Sequence, residues 1–174
     1  MLNQTTVQLK HAIQEAREVV YNLRPGQYDH LAFIPALSNY LKAYEREHRI
    51  RTEFEGSGDE SQLDPKAKVF VFRMVQEALS NVAKHAGATK VIVKVTLKKD
   101  VLKATVSDNG QGFDVKAEGQ NPEKWDHFGV RSMTERARML GGNVQWVSKP
   151  GTGTKVEIYI PLVLKEKVPY AQND

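Results

Sequence analysis

The sequence contains no cysteine and no long apolar run. The first absence excludes disulfide frameworks and thiolate metal sites, and it suits a reducing compartment. The longest apolar runs, Val69 to Phe72 and Val91 to Val93, fall far short of the roughly 20 residues that cross a bilayer, and the chain start lacks a signal-peptide pattern. We therefore expect a cytoplasmic chain without membrane contact, although a longer parent protein could be membrane-anchored through an upstream segment.

A block of like charge is also missing. The 25 lysines and arginines are interspersed with 21 acidic residues, which gives a net charge of +4 and a pI near 9.2. This mixing argues against direct contact with nucleic acid, because phosphate backbones are bound by clustered basic residues. A length of 174 residues with 40% hydrophobic content supports one dominant core plus an extra element.

Three helices are predicted in the first half of the chain. Over residues 4 to 24, apolar residues recur at alternating spacings of four and three, which is the seam of a helix that packs lengthwise on another helix. A second helix over residues 31 to 48 repeats this stripe. The third begins with Asp64 as its cap and ends at Gly87. The apolar positions of the three helices are Leu9, Ile13, Ala16, Val20 and Leu23; Ile34, Leu37, Leu41 and Tyr44; and Phe72, Val75, Leu79 and Val82.

The apolar period then changes to two. Residues 91–97 and 102–106 alternate in polarity and predict a hairpin that leads to Asp108. The polar, glycine-rich stretch over 110–127 is longer than most connections, which is typical of a functional lid or of a disordered segment. The remaining predicted elements are a loop over 55–62, a helix over 129–140, and a hairpin of 144–147 with 156–162. The predicted order is three helices, a hairpin, a lid, a helix and a second hairpin. This order predicts an α+β sandwich in two layers, in which one antiparallel or mixed sheet is covered on one face by helices.

Two motifs combine polar residues with a fixed spacing. Asp108 ends a strand, so its carboxylate can accept a hydrogen bond from an exocyclic amine while Gly110 and Gly112 let the backbone approach a flat ligand. The same Asp-Asn-Gly run is also ordinary turn chemistry. A polar stripe on the third helix is a candidate site, although an amphipathic helix often has a solvated face without function. This stripe contains Glu77, Asn81, Lys84 and His85.

Two further segments combine glycine with a helix start or a turn. Gly129 to Met133 opens a helix, where exposed N–H groups can hold phosphate and Arg131 adds positive charge. Gly151 to Thr154 lies between two strands. The alternatives are a surface ion pair for Arg131, a core position for Met133, and a simple hairpin turn for the second segment.

The ordered set of motifs resembles the sensor histidine kinases. The stretch Phe72 to Ala86 resembles their asparagine box, and Asp108 to Gly112 resembles their first glycine box. Gly129 to Met133 and Gly151 to Thr154 resemble their later glycine and threonine elements. Ala16 to Pro25 is similar to the end of the dimerisation helix in the subfamily that pairs with response regulators bearing helix-turn-helix output domains.

This resemblance implies a Bergerat ATP-binding fold, which gyrase, MutL and the Hsp90 chaperone share. The catalytic ATP-binding domain would cover residues 27–163, after the last helix of a dimerisation region over 1–26 and before a disordered tail over 164–174. The implied cofactors are ATP and Mg²⁺. The implied partners are a response regulator with a helix-turn-helix output domain and, in the full-length kinase, a second copy of the chain.

The resemblance also implies residue roles. Asn81 would ligate Mg²⁺, Glu77 would orient a metal-bound water or act as a base, and Asp108 would accept a hydrogen bond from the adenine amino group. Lys84 and His85 would lie near the phosphates. Phe113 would pack beneath the lid, and Thr154 would support the adenine end through its hydroxyl or through a bridging water. The other residues that the resemblance assigns to ATP binding are Gly110, Gly112, Gly129, Val130, Arg131, Met133, Gly151, Thr152 and Gly153.

Two alternatives remain open at this point. A free-standing ATPase or serine kinase of the same fold, such as an anti-sigma factor kinase, is disfavoured by the helical seam over residues 9–23. A decayed, nucleotide-free module is disfavoured by the intact Glu77, Asn81 and Asp108. None of the five histidines is followed by an acidic residue. Because the subfamily's acceptor histidine has such a neighbour as its base, we expect no autophosphorylation of this chain alone.

Overall fold

The computed structural model describes residues 32–98, 100–115 and 128–162. The predicted dimerisation helix over 1–26, most of the predicted lid and the predicted tail over 164–174 lie outside these described residues. The elements of the described part are, in chain order, α1 (Phe33–His48), β1 (Arg51–Ser57), a 3-10 helix (Glu60–Gln62), α2 (Pro65–Asn81), a π turn (Val82–Ala86), β2 (Lys90–Leu97), β3 (Val101–Asp108), α3 (Phe128–Met139), β4 (Asn143–Ser148) and β5 (Thr154–Pro161).

The strands form one mixed sheet. Their order is β1-β2-β3-β5-β4, with β1 parallel to β2 and the other neighbouring pairs antiparallel. Buried residues alternate with more exposed ones along β2 and β3, as in a sheet that is covered on one face. The helices pack on that buried face. The predicted α+β sandwich in two layers is therefore confirmed, and so are both predicted hairpins.

Helix α2 begins as its sequence predicts but ends differently. The Asp64 carboxylate accepts a hydrogen bond from the Lys66 amide at 2.8 Å, and Pro65 occupies the first helical position. The prediction of one regular helix up to Gly87 was wrong, because a π turn replaces the α-helical pattern from Val82 to Ala86. Gly87 does end this turn, in the left-handed conformation at φ 59°.

The buried side of α2 is broader than predicted. Val75, Leu79 and Val82 are buried as expected, but Phe72 is only half-buried. Its ring meets the Tyr40 ring edge to face, with 5.6 Å between centroids. The reason is that α2 packs on the middle of the sheet and against α1 and α3 at once, so a wider arc of it is covered. The additional buried residues are Ala67, Lys68, Phe70, Val71, Met74 and Ala78.

Strand β1 was missed by the sequence reasoning. The predicted loop over 55–62 is wrong at both ends, because β1 continues to Ser57 and a 3-10 helix covers Glu60–Gln62. The missed signal is an alternation in which Thr52 and Phe54 share the buried face with Val91 and Val93 of β2. Charged residues between them conceal this alternation, because an edge strand keeps much of its surface in water.

The fold places the end of a central strand next to the end of a central helix. Strand β3 lies between β2 and β5 and ends at Asp108, opposite Val91 of β2. Helix α2 packs on β3 and β5. None of the helices in the described ranges combines the length and apolar character that a membrane span requires.

Candidate functional site

The carboxylate of Asp108 is buried at the end of β3. Only 9% of the residue is exposed, and Oδ1 accepts a hydrogen bond from the Gly110 amide at 2.7 Å. Burial raises the pKa of Asp108 above its usual range, while the backbone N–H groups of Gly110 and Thr154 act in the opposite direction. Because burial is the largest effect, a ligand that donates a further hydrogen bond would relieve an unfavourable charge.

The turn after Asp108 is fastened to the segment that links α2 to β2. Asn109 Oδ1 accepts a hydrogen bond from the Thr89 amide at 3.0 Å. The Gln111 amide donates to the Ala86 carbonyl at 2.8 Å, and its side-chain nitrogen donates to the His85 carbonyl at 2.7 Å. Sequence reasoning named neither Asn109 nor Gln111, although both stand inside the motif that it identified.

Two glycines bring the β4–β5 turn against the same strand end. A Cβ on Gly153 would lie 2.1 Å from the Asp108 carbonyl oxygen, and a Cβ on Gly112 would lie 2.1 Å from the Lys149 carbonyl oxygen. Both glycines also have a positive φ, 76° and 61° respectively, which disfavours other residues. The predicted role of these two glycines in backbone clearance is therefore consistent with the fold, and the clearance serves protein backbone.

Ser148 joins three parts of this region. Its Oγ accepts a hydrogen bond from the Phe113 amide at 2.9 Å and donates to the Gly153 carbonyl at 2.9 Å. It also lies 3.0 Å from Thr154 Oγ1. Sequence reasoning missed Ser148, whose only local signal is a small polar residue at the end of β4. The half-buried Phe113 and Thr154 are thus held at the Asp108 end.

The predicted polar stripe on α2 is interrupted. Glu77 and Asn81 are half-buried and one turn apart on the regular part of the helix, as predicted. Lys84 and His85 lie in the π turn and are exposed. Their predicted place on one stripe stays a prediction, because the residue spacing around the helix axis changes in the π turn.

The first turn of α3 lies against Glu77. A Cβ on Gly129 would lie 2.1 Å from Glu77 Oε1, so glycine is what lets this carboxylate approach the helix start. Arg131 is exposed on the same turn. Val130 is buried and Met133 has no exposed surface, so the structure places both in the core. A direct contact of Met133 with ATP, which the sequence predicted, is not supported by this placement.

The β4–β5 turn holds the other predicted residues. Gly151 and Thr152 are exposed. The Gly151 amide donates to the Gln111 carbonyl at 2.6 Å, and Thr152 Oγ1 donates to the Lys149 carbonyl at 3.0 Å. These contacts shape the turn itself and tie it to the segment after β3. Gly110, which is buried, packs against Ala86 in the same region.

The donor groups suit magnesium better than a transition metal. Within the described ranges no three His, Cys, Asp or Glu side chains group together in a way that could hold a metal ion. The Asn81 amide and the Glu77 carboxylate offer oxygen alone, one turn apart. Mg²⁺ takes few protein oxygens because it keeps water and phosphate ligands, so this sparse set fits it.

The comparisons with known proteins decide the family. Residues 66–164 match the family described as histidine kinase-, DNA gyrase B- and HSP90-like ATPases. The chain belongs to this family. This ATPase-family domain therefore has the ATP-binding fold that the sequence predicted, and the matched stretch includes α2, β3, α3 and the β4–β5 turn.

Similar sequences are named as sensor kinases. The chain is 36% identical over 158 residues to the signal transduction histidine-protein kinase/phosphatase DegS of Brevibacillus brevis. This match covers 91% of this chain and 40% of that protein. It is 32% identical over 156 residues to the sensor histidine kinase LiaS of Bacillus subtilis (strain 168), which covers 90% of this chain and 41% of that one. The chain thus spans about two fifths of the length of these relatives.

A solved structure supports the fold. The histidine kinase domain of the blue-light activated histidine kinase from Erythrobacter litoralis EL346 matches with a TM-score of 0.61 and 22% identity, over 75% of this chain and 61% of that one. At this level of identity the likeness concerns the fold alone.

Proposed function

We propose that this chain is the ATP-binding catalytic part of a two-component sensor histidine kinase. It would bind ATP and transfer the γ-phosphate to a histidine on a dimerisation helix, for relay to a response regulator. The family match and the kinase names of the relatives support this activity. The acceptor histidine would lie on another helix, because none of the five histidines here precedes an acidic residue.

One observation carries the proposal: a buried carboxylate stands next to the end of the helix that presents Asn81. Asp108 is 9% exposed, and one of its oxygens is already fixed by Gly110. Its turn is bonded through Gln111 to Ala86, which ends the π turn after Asn81. A base bound at Asp108 would therefore direct its phosphates toward the end of α2.

The roles of the residues follow from this direction. Asp108 accepts a hydrogen bond from the adenine amino group and selects the base, since a base without that donor leaves the buried carboxylate unpaired. Asn81 offers its amide oxygen to Mg²⁺, and Glu77 orients a metal-bound water or takes a proton. Lys84, His85 and Arg131 are exposed cations or donors at the phosphate end. The bound metal would supply charge neutralisation of the phosphates.

The finer assignments belong to the same proposal. The response regulator would carry a helix-turn-helix output domain, and the full-length kinase would be a homodimer held together by the region that includes residues 1–26. The catalytic domain would cover residues 27–163 and work in the cytoplasm. Support comes from the sequence resemblance around Ala16 to Pro25 and from the sensor-kinase relatives.

Titration calorimetry with a non-hydrolysable ATP analogue and Mg²⁺ tests the proposal. Asp108→Asn keeps the shape of the side chain but turns one acceptor into a donor facing the adenine amino group. We expect a loss of about 1 to 3 kcal/mol or more in binding free energy. Asp100→Asn, at an exposed position in the β2–β3 turn, should bind as the wild type does. Unchanged affinity of Asp108→Asn would remove Asp108 from the site.

A further inference from the structure

A buried tyrosine of α1 contacts the helix that carries the proposed metal ligand. Tyr44 is 3% exposed, and its hydroxyl donates a hydrogen bond to the Leu79 carbonyl oxygen at 3.0 Å. Leu79 lies in α2, two residues before Asn81. The contact therefore joins a side chain of one helix to the main chain of another, at the turn that presents Asn81.

This contact lies where α2 changes its hydrogen-bonding pattern. The Val82 amide is shared between the carbonyls of Ala78 and Leu79, and the π turn begins at Val82. Such turns are rare and are frequently found at functional sites. An additional donor on the Leu79 carbonyl supports the main chain at the point where the helix's own ladder is divided.

Tyr44 is a dependable donor. Burial, with the charges of Tyr40 and Asp108 adding to it, raises the pKa of Tyr44 to about 12. The hydroxyl is thus protonated throughout the usable pH range. The effect of Asp108 on Tyr44 also means that the hydroxyl and the Asp108 carboxylate lie within electrostatic reach of each other.

We propose that Tyr44 is a positioning residue for the magnesium end of the ATP site. Its hydroxyl fixes the turn of α2 that carries Asn81, so the amide oxygen of Asn81 is held where a metal ion can meet it. This inference rests on the proposed function, since it assigns Tyr44 to the binding of the same nucleotide. It concerns a main-chain contact, which sequence patterns on α1 do not reveal.

The variant Tyr44→Phe tests the inference, because it removes the hydroxyl and keeps the ring. We would titrate the 174-residue chain with a non-hydrolysable ATP analogue, once with Mg²⁺ and once with EDTA. Loss of one hydrogen bond should weaken binding with Mg²⁺ by about three- to tenfold, and binding with EDTA by less than about twofold. A role in packing alone would weaken both titrations equally.

Tyr40→Phe is the matched control. Tyr40 lies one turn earlier on α1, and its hydroxyl bonds the Gln76 side chain rather than the main chain of α2. We expect this variant to bind like the wild type in both titrations. Circular dichroism melting confirms that each variant is folded before it is titrated.

A double-mutant cycle with Asn81→Ala makes the test sharper. If Tyr44 acts through Asn81, Tyr44→Phe should have no further effect in the Asn81→Ala background. An equal loss in both backgrounds, or unchanged binding by Tyr44→Phe beside a wild type that binds, would overturn the role of Tyr44 and leave ATP binding intact. A wild type that fails to bind the magnesium-nucleotide complex would overturn both proposals.

Discussion

The two ends of the proposed ATP site are held in different ways. At the Asp108 end, the turn after β3 and the β4–β5 turn are joined by hydrogen bonds through Gln111 and Ser148. At the phosphate end, Lys84, His85 and Arg131 extend from exposed positions. The base end is therefore held by hydrogen bonds within the chain, whereas the exposed side chains of the phosphate end have conformational freedom to lose on binding.

This difference assigns separate tasks to the two ends. A preformed site loses little conformational entropy on binding, so the Asp108 end should supply selectivity and much of the affinity. Exposed cations act through solvent-screened charge, so the phosphate end should contribute less to affinity and depend more on salt.

Gly153→Ala should break the base end. The new Cβ would lie 2.1 Å from the Asp108 carbonyl oxygen, at a residue whose φ is 76°. We expect the free energy of unfolding to fall by more than about 3 kcal/mol, together with loss of nucleotide binding.

Gly151→Ala is the control. Gly151 also has a positive φ, 81°, but a Cβ on it would have no heavy atom within 4 Å. It should cost only the backbone strain of about 1 to 2 kcal/mol in urea unfolding. Equal losses would show that strain alone, without the close approach, limits this turn.

Ser148→Ala should loosen the same end without breaking it. The substitution removes the acceptor of the Phe113 amide and the donor to the Gly153 carbonyl. We expect a loss of about 1 to 2 kcal/mol in the free energy of unfolding, measured with urea. The exposed Ser57 of β1 gives the comparison, and Ser57→Ala should stay within about 0.5 kcal/mol of the wild type. A Ser148 variant as stable as that control would show that these hydrogen bonds add nothing to the fold.

Asp108→Asn should weaken nucleotide binding without lowering the free energy of unfolding. Burial raises the pKa of Asp108, so the folded chain holds that proton more tightly than the unfolded chain does. At pH 7.5 the charged carboxylate therefore opposes folding, and this cost disappears as the pH falls through the folded and then the unfolded pKa. Without nucleotide, the variant should be at least as stable as the wild type at pH 7.5, and any advantage should shrink toward about pH 4. A variant that is markedly less stable at pH 7.5 would contradict this sign.

Arg131→Gln should have the smallest effect. The side chain is exposed, so the free energy of unfolding should change by no more than about 0.5 kcal/mol. Affinity for the magnesium-nucleotide complex should fall by about two- to fivefold at low salt and less at high salt. Calorimetry at two ionic strengths measures both. A loss that does not depend on salt would mean that Arg131 makes a close, desolvated contact with the ligand.

The parts of the fold that sequence predicted well are those with local causes. The cap at Asp64, the left-handed Gly87 and the two period-two hairpins each depend on neighbouring residues. Strand β1 was missed because its edge position leaves charged residues among Thr52 and Phe54. The π turn was missed because its cause is the hydrogen bonding of the backbone, which leaves no period in the side chains.

The site shows the same division. Sequence patterns singled out Asp108, Glu77 and Asn81, and the structure places Asp108 at the end of β3, Asn81 at the end of α2 and Glu77 one turn before it. Their roles stay predictions. The contacts of Tyr44 and Ser148 were not predictable, because each depends on a carbonyl that only the folded chain brings near. The sequence could not decide between an ATP contact and a core position for Met133, because a methionine beside a glycine motif can occupy either. The structure buries Met133 completely.

The parallel pairing of β1 with β2 has a consequence for the order of folding. The hairpins β2–β3 and β4–β5 close short loops, whereas β1 can pair only after the whole of α2 has been crossed. Contacts of long sequence separation form slowly. Local opening is easiest in segments with few buried residues, and β1 is an edge strand with mostly exposed residues. Because α1 packs on β1, opening of this edge would release α1 with it, and Tyr44 would leave Leu79. Hydrogen exchange at β1 should therefore be faster than at β3, and bound nucleotide should slow the exchange at β1.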